Sequence, residues 1–114
     1  EELNMEITTR DVNDVKVVQI EGELDTGSSP GAQKQLDQLR EQGVKKILLD
    51  LAKLDFISSA GLRVLLATAQ ELKQDGGDLR VCSLNREVKE VFDISGFSTL
   101  LMVFDHEARA LAGF

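Results

Sequence analysis

Two adjacent hydroxyls stand in the stretch Leu54-Asp55-Phe56-Ile57-Ser58-Ser59-Ala60-Gly61-Leu62-Arg63-Val64-Leu65-Leu66, where the end of an apolar strand gives way to an amphipathic helix. A hydroxyl at a helix start usually caps it, because its oxygen accepts one of the orphan N–H groups of the first turn. The plain reading is therefore that Ser58 caps the helix and Ser59 is an ordinary first-turn residue. The two serines alone favour it. The functional reading is that one hydroxyl accepts a phosphoryl group. A phosphate at this point meets free backbone N–H groups and the positive end of the helix dipole, an arrangement that stabilises an exposed anion by about 0.3–1 kcal/mol. Modification here leaves the fold intact. Its cost falls on any partner covering the site, through about two added negative charges. The acceptor needs only a hydroxyl, since a kinase brings its own base.

Three neighbours bear on that chemistry. Gly61 lies in the first helical turn, where Gly costs about 1 kcal/mol relative to Ala. It serves either close packing of helix on sheet or the approach of a partner to Ser59. Asp25 is a solvated loop charge, a hydrogen-bond partner for Ser58, or a group that polarises the acceptor. Arg63 is an exposed helical cation, able to pair with a phosphate or with a partner's carboxylate.

Catalytic readings lack their parts. Hydrolysis by a serine needs an adjacent base, and the only histidine, His106, is far along the chain. The G-x-S-x-G elbow is absent, as is a G-x-x-x-x-G-K-[ST] phosphate loop. One His and one Cys do not make a zinc site. No catalytic residue, metal or cofactor is expected.

Composition bounds the partners. The 114 residues suit one domain spanning 1–114, with 42% hydrophobic and 29% charged residues. Aromatic residues make up only 4%, with no Trp or Tyr, which removes the stacking platforms that single-stranded nucleic acid requires. The formal net charge of -7 disfavours nucleic acid and anionic lipid and favours a basic protein surface. Cys82 is alone, so it forms no internal disulfide and reads as a small buried hydrophobe. No apolar run is long enough to span a bilayer, and no signal-peptide pattern appears. The expected setting is cytoplasmic, without membrane insertion.

The elements that position the serines follow from periodicity. Leu3, Met5, Ile7 and Thr9 alternate with polar residues, the mark of a half-buried strand. Asp11-Val12-Asn13-Asp14 predicts a turn, and Val15 to Glu21 a second strand of an antiparallel hairpin. Gly22 to Pro30 is a polar loop in which Ser29 caps a helix with Pro30 at its first position. That helix runs through Ala32, Leu36 and Leu39 to Gly43. Lys46 to Leu51, apolar except for Lys46 and Asp50, suits a strand covered on both faces. After the serines, Leu62, Leu65, Leu66, Ala69 and Leu72 form a helical stripe that stops at Gly76-Gly77. A strand over Leu79 to Leu84 follows. Asn85 then caps a helix with Val88, Val91 and Phe92 inward, closed by Gly96. Leu100 to Phe104 is another strand, and Asp105 caps a last helix through Ala112.

The order β-β-α-β-α-β-α-β-α implies a single α/β domain, a mixed and mostly parallel sheet of about five strands with about four helices. In such sheets partners meet the loops leaving the carboxyl ends of the strands. Three loops qualify and are predicted to share one edge: Glu23 to Ser29, Ile57 to Ala60, and Ser83 to Arg86.

The central stretch resembles the signature of bacterial anti-sigma-factor antagonists, the STAS domain. Gly22-Glu23-Leu24-Asp25 resembles that family's first loop. Gly76-Gly77-Asp78-Leu79-Arg80-Val81-Cys82 is similar to its fourth strand and approach, and Val91-Phe92-Asp93-Ile94-Ser95-Gly96-Phe97 to its late helix and exit. The resemblance implies a STAS fold and a mechanism. The unmodified antagonist binds an anti-sigma factor that is also a serine kinase, which frees the sigma factor. Phosphorylation of one serine ends the complex, and a PP2C-type phosphatase restores it. The family run is Asp-Ser-[Ser/Thr/Ala]-Gly. Aligned on Gly61, the acceptor falls on Ser59, with Ser58 as second choice, and the partner surface on Asp25, Thr26, Ser58, Ser59, Gly61 and Arg63. Ser58 stands at the family's Asp position and Arg63 where many members carry Gly. The departure at Ser58 motivates an alternative: a STAS scaffold, or an accessory subunit of a stress-signalling or membrane transport complex, without a sigma partner.

Overall fold

The computed structural model describes residues 4–114; Leu3, the expected first residue of the opening strand, lies outside the described residues. Strand β1 (Met5–Val12) pairs antiparallel with β2 (Val15–Leu24). The hairpin is tighter than the expected four-residue turn. Asp11 and Val12 stay paired with Lys16 and Val15, and only Asn13 and Asp14 turn. Asn13 takes φ 55°, a left-handed conformation that Asn tolerates.

Among the described residues six strands form the sheet rather than about five, in the order β1-β2-β3-β5-β6, with β4 paired to β2. The extra strand comes from dividing the apolar stretch around Leu51. After β3 (Lys46–Asp50), the Asp50 carboxylate accepts the Ala52 N–H at 3.0 Å, and Leu54 N–H donates to Leu51 O at 3.1 Å. The chain turns there and re-enters as β4 (Leu54–Ile57). Strand β2 serves both neighbours. Lys16 to Gln19 pair with β3, and Gly22 to Leu24 pair with β4 after a register shift between Gly22 and Glu23.

Helix α1 (Ser29–Glu41) precedes β3, and α2 (Ser59–Gln74) follows β4. Strand β5 (Asp78–Cys82), helix α3 (Arg86–Ser95), a short 3-10 turn (Phe97–Thr99), β6 (Met102–Phe104) and α4 (Glu107–Leu111) complete the chain. β5 stops earlier than the expected Leu84 because Ser83 adopts φ 66°. β6 starts later than the expected Leu100 because Leu100 and Leu101 donate back to Phe97 O, extending the 3-10 turn.

Two of the expected caps are corrected. The N-cap of α1 is Ser28, not Ser29, and neither hydroxyl caps the helix: Ser29 Oγ donates to Asp25 O, and Ser28 Oγ to Glu23 O. The N-cap of α4 is His106 rather than Asp105, without a side-chain bond, and the helix ends at Leu111 rather than Ala112. Asn85 caps α3 as expected, accepting the Val88 N–H at 2.8 Å, and Gly96 closes it at φ 82°.

The core lies in two layers. On one face, Val18, Ile20, Ile47, Leu49 and Val81 pack under Ala32 and Leu36 of α1, Leu62, Leu65 and Leu72 of α2, and Val88 and Phe92 of α3. On the other, Val15, Val17, Leu48 and Cys82 pack under Ala110 of α4. Adjacent Leu48 and Leu49 therefore enter opposite cores, which is why β3 reads as an unbroken apolar run. The Cys82 thiol is fully buried, and burial raises its pKa.

Candidate functional site

The site is built where β2, β4 and β5 end. Leu24 O, the last carbonyl of β2, accepts both the Ser58 N–H at 2.9 Å and the Ser58 hydroxyl at 3.2 Å. These bonds bind the β2 and β4 loops to one another. The β5 loop meets the start of β4, where Asn85 Nδ2 donates to Leu54 O at 2.8 Å, and since β2, β4 and β5 run parallel their loops leave the sheet on the same side. The three expected loops do share one edge.

Ser58 is the N-cap of α2. Its extended backbone (φ -93°, ψ 173°) turns the hydroxyl to accept the Gly61 N–H at 3.2 Å. The hydroxyl therefore has both a donor and an acceptor partner, and the residue is half-buried. Ser59, the first residue of α2, is exposed, and its hydroxyl makes no hydrogen bond among the described residues. Ser58→Ala should remove the cap and cost about 1 kcal/mol, read as a lower Tm with the fold retained.

Gly61 is buried, and its missing side chain is filled by the protein itself. A Cβ there would lie 2.7 Å from Leu24 O and 2.9 Å from Leu24 Cγ and Ile57 Cγ1. Of its two readings, close packing is the one the geometry carries; no open space beside Ser59 results from it. Gly61→Ala should push α2 off the end of β2 at a cost of about 1–3 kcal/mol, read by chemical denaturation.

Asp25 does not reach Ser58. Its carboxylate accepts the Ser28 N–H at 2.9 Å, while its own N–H donates to Ser28 Oγ at 3.0 Å. That reciprocal pair stiffens the loop and holds the Asp25 carboxyl below the usual range, chiefly through the Ser28 N–H. Thr26 is exposed at the loop's tip, and Arg63 is exposed on α2. His106 lies beyond β6, across β3 and β5 from β2, and no hydrogen bond joins it to either serine. Among the described residues no group of His, Cys, Asp and Glu is placed to hold a metal ion, and no helix is long and apolar enough to cross a membrane.

One feature beside the serines escapes sequence reasoning. Phe56 looks like a core residue of a strand, yet it is 49% exposed. With Asp55, Ile57, Glu87, Val88 and Val91 it lines a groove of about 110 Å³ between β4 and α3. In β4 the buried residues are Leu54 and Ile57, so the strand shows no period-two alternation that would mark Phe56 as outward-facing.

The order of strands agrees with a known pattern. The STAS domain matches residues 6–110. The chain belongs to the STAS domain family. BtrV of Bordetella bronchiseptica is 34% identical over 110 residues, covering 96% of this chain and 95% of that protein. The anti-sigma F factor antagonist of Paenibacillus polymyxa is 32% identical over 110 residues, covering 96% of this chain and 94% of its own. Among solved structures, the Bacillus cell fate determinant SpoIIAA in its phosphorylated form superposes with a TM-score of 0.70 at 22% identity, over 91% of this chain and 96% of that one. This last likeness is one of fold. The six-stranded mixed sheet with four helices is thus the STAS fold.

Proposed function

We propose that this STAS protein is an anti-sigma factor antagonist, switched by phosphorylation at Ser59. Unmodified, it binds an anti-sigma factor that is also a serine kinase, so that the sigma factor is released. Phosphorylated, it no longer binds, and a PP2C-type phosphatase restores it. The observation that carries this reading is the division of labour between the two serines: Ser58 spends its hydroxyl on Gly61 and Leu24, while Ser59 offers a free, exposed hydroxyl at the first position of α2. Support comes from the relatives, since the Paenibacillus protein is an anti-sigma F factor antagonist and SpoIIAA has a phosphorylated form.

The partner surface in this reading comprises Asp25, Thr26, Ser58, Ser59 and Arg63, with Gly61 supporting it from beneath. The one domain, 1–114, acts in the cytoplasm as a binding module and not as an enzyme. The -7 net charge suits a basic face on the kinase. Titration calorimetry of the unmodified protein against the anti-sigma kinases of its own genome tests the assignment. A stoichiometric complex that displaces the sigma factor is expected. If none of those kinases binds, the assignment fails.

A further inference from the structure

Ser59 and Arg63 stand at i and i+4 on α2, which makes them neighbours on one helix surface. Helical side chains lean toward the N-terminus of their own helix, so the Arg63 guanidinium is within reach of the turn that Ser59 begins. Both residues are exposed. Some other helical cations are engaged, Arg40 with Asp75, Arg86 with Glu90 and Lys89 with Asp93, while Lys34, Lys73 and Arg109 form no ion pair among the described residues but lie away from the first turn of α2. Arg63 has no carboxylate partner among the described residues. The N–H groups of Ser59 and Ala60 also find no protein acceptor there, since Ser58 Oγ takes only the Gly61 N–H. Ser58, the residue before the acceptor, is neutral.

We propose that Arg63 is the built-in counter-ion of a phosphate on Ser59. The inference rests on Ser59 being the phosphate acceptor. Phosphorylation then creates an ion pair within α2 rather than a bare charge at its tip. The modified state is stabilised inside the chain, and that stabilisation weakens as salt rises. The other charged groups on this edge are Glu23, Asp25, Asp55, Glu87 and Arg86, of which Asp25 is held by Ser28 and Arg86 pairs with Glu90. A guanidinium favours the phosphate dianion over the monoanion, so it lowers the second phosphate pKa from its ordinary value of about 6.

The test is a phosphorus NMR titration of protein carrying phosphoserine placed at position 59 biosynthetically, compared with the same species bearing Arg63→Met or Arg86→Met. The native chain is expected to show a second pKa lower than that of Arg63→Met by about 0.3 unit. The gap should shrink in about 1 M salt, and Arg86→Met should titrate like the native chain. Equal pKa values in native and Arg63→Met protein overturn the pairing, as does an equal rise in Arg86→Met. Because the phosphoserine is installed without a kinase, those results leave the acceptor assignment standing. Mass spectrometry of kinase-treated protein with no phosphate on Ser59 would instead remove the assignment on which the pairing rests.

Discussion

Ser59→Asp is expected to lose anti-sigma binding by about 100-fold or more while leaving the fold at least as stable. The two effects have opposite signs for physical reasons. An Asp at the first position of α2 meets unpaired N–H groups and the positive helix end, worth about 0.3–1 kcal/mol in favour of the folded chain. In a complex the same carboxylate is covered, and an unpaired charge buried at an interface costs about 2–5 kcal/mol. Ser59→Ala removes a hydroxyl that bonds to nothing in the described structure, so it should bind as the native protein does and resist the kinase. Calorimetry with the anti-sigma factor and a thermal melt, run on both variants, check the pair of outcomes. A variant that loses binding because it unfolds would show itself in the melt.

Arg80→Met should produce the largest loss of stability, about 3 kcal/mol, or roughly 12 °C in Tm for a domain of this size. Arg80 projects from β5 into the minor core at 8% exposure. Its Nη1 donates to Ala110 O and Ala112 O, and its Nη2 to Gly113 O, each at 2.9 Å. The guanidinium also lies 4.4 Å from the Phe114 ring centroid and 5.5 Å from that of Phe104. One side chain thus accepts the job of satisfying the carbonyls at the end of α4 and of fixing that short helix to the back of the sheet. Without it those carbonyls lose their donors, α4 lifts, and Val15, Val17, Leu48 and Cys82 gain water. Amide exchange across residues 107–114 should quicken in Arg80→Met. Arg80→Lys should recover only part of the loss, because an ammonium cannot reproduce the planar fork. Neither variant touches the serine edge, so anti-sigma binding at a temperature where the variant is folded should persist.

Local signals in the sequence located most elements. Asn85, Gly43, Gly76 and Gly96 mark helix ends because caps and left-handed turns are decided by the residue at that position. The shared edge of the three loops follows from alternating strands and helices, and so does the placement of Ser58 and Ser59 at a helix start. What was hidden depends on distant partners. β4 is a separate strand because β2 changes register at Gly22 and Glu23 and so pairs with both β3 and β4. Arg80, between Leu79 and Val81, looks like a solvent-facing strand residue until carbonyls from Ala110 to Gly113 close over it. The cap expected at Ser29 fails for a related reason, and Ser28, the actual N-cap, does not bond the helix either. Backbone carbonyls of Glu23 and Asp25 compete for their hydroxyls and win. The separation of the two site serines is also tertiary, since it is Leu24 O, supplied by β2, that completes the bonding of Ser58.

In the proposed switch Ser59, and not the capping Ser58, takes the phosphate that ends the complex. Incubation of the protein with its anti-sigma kinase and ATP, followed by site-resolved mass spectrometry and a binding measurement on the product, tests it most directly. The expected result is phosphate on Ser59 alone and a product that no longer binds. Phosphate on Ser58, or a product modified at Ser59 that binds as tightly as before, would contradict it.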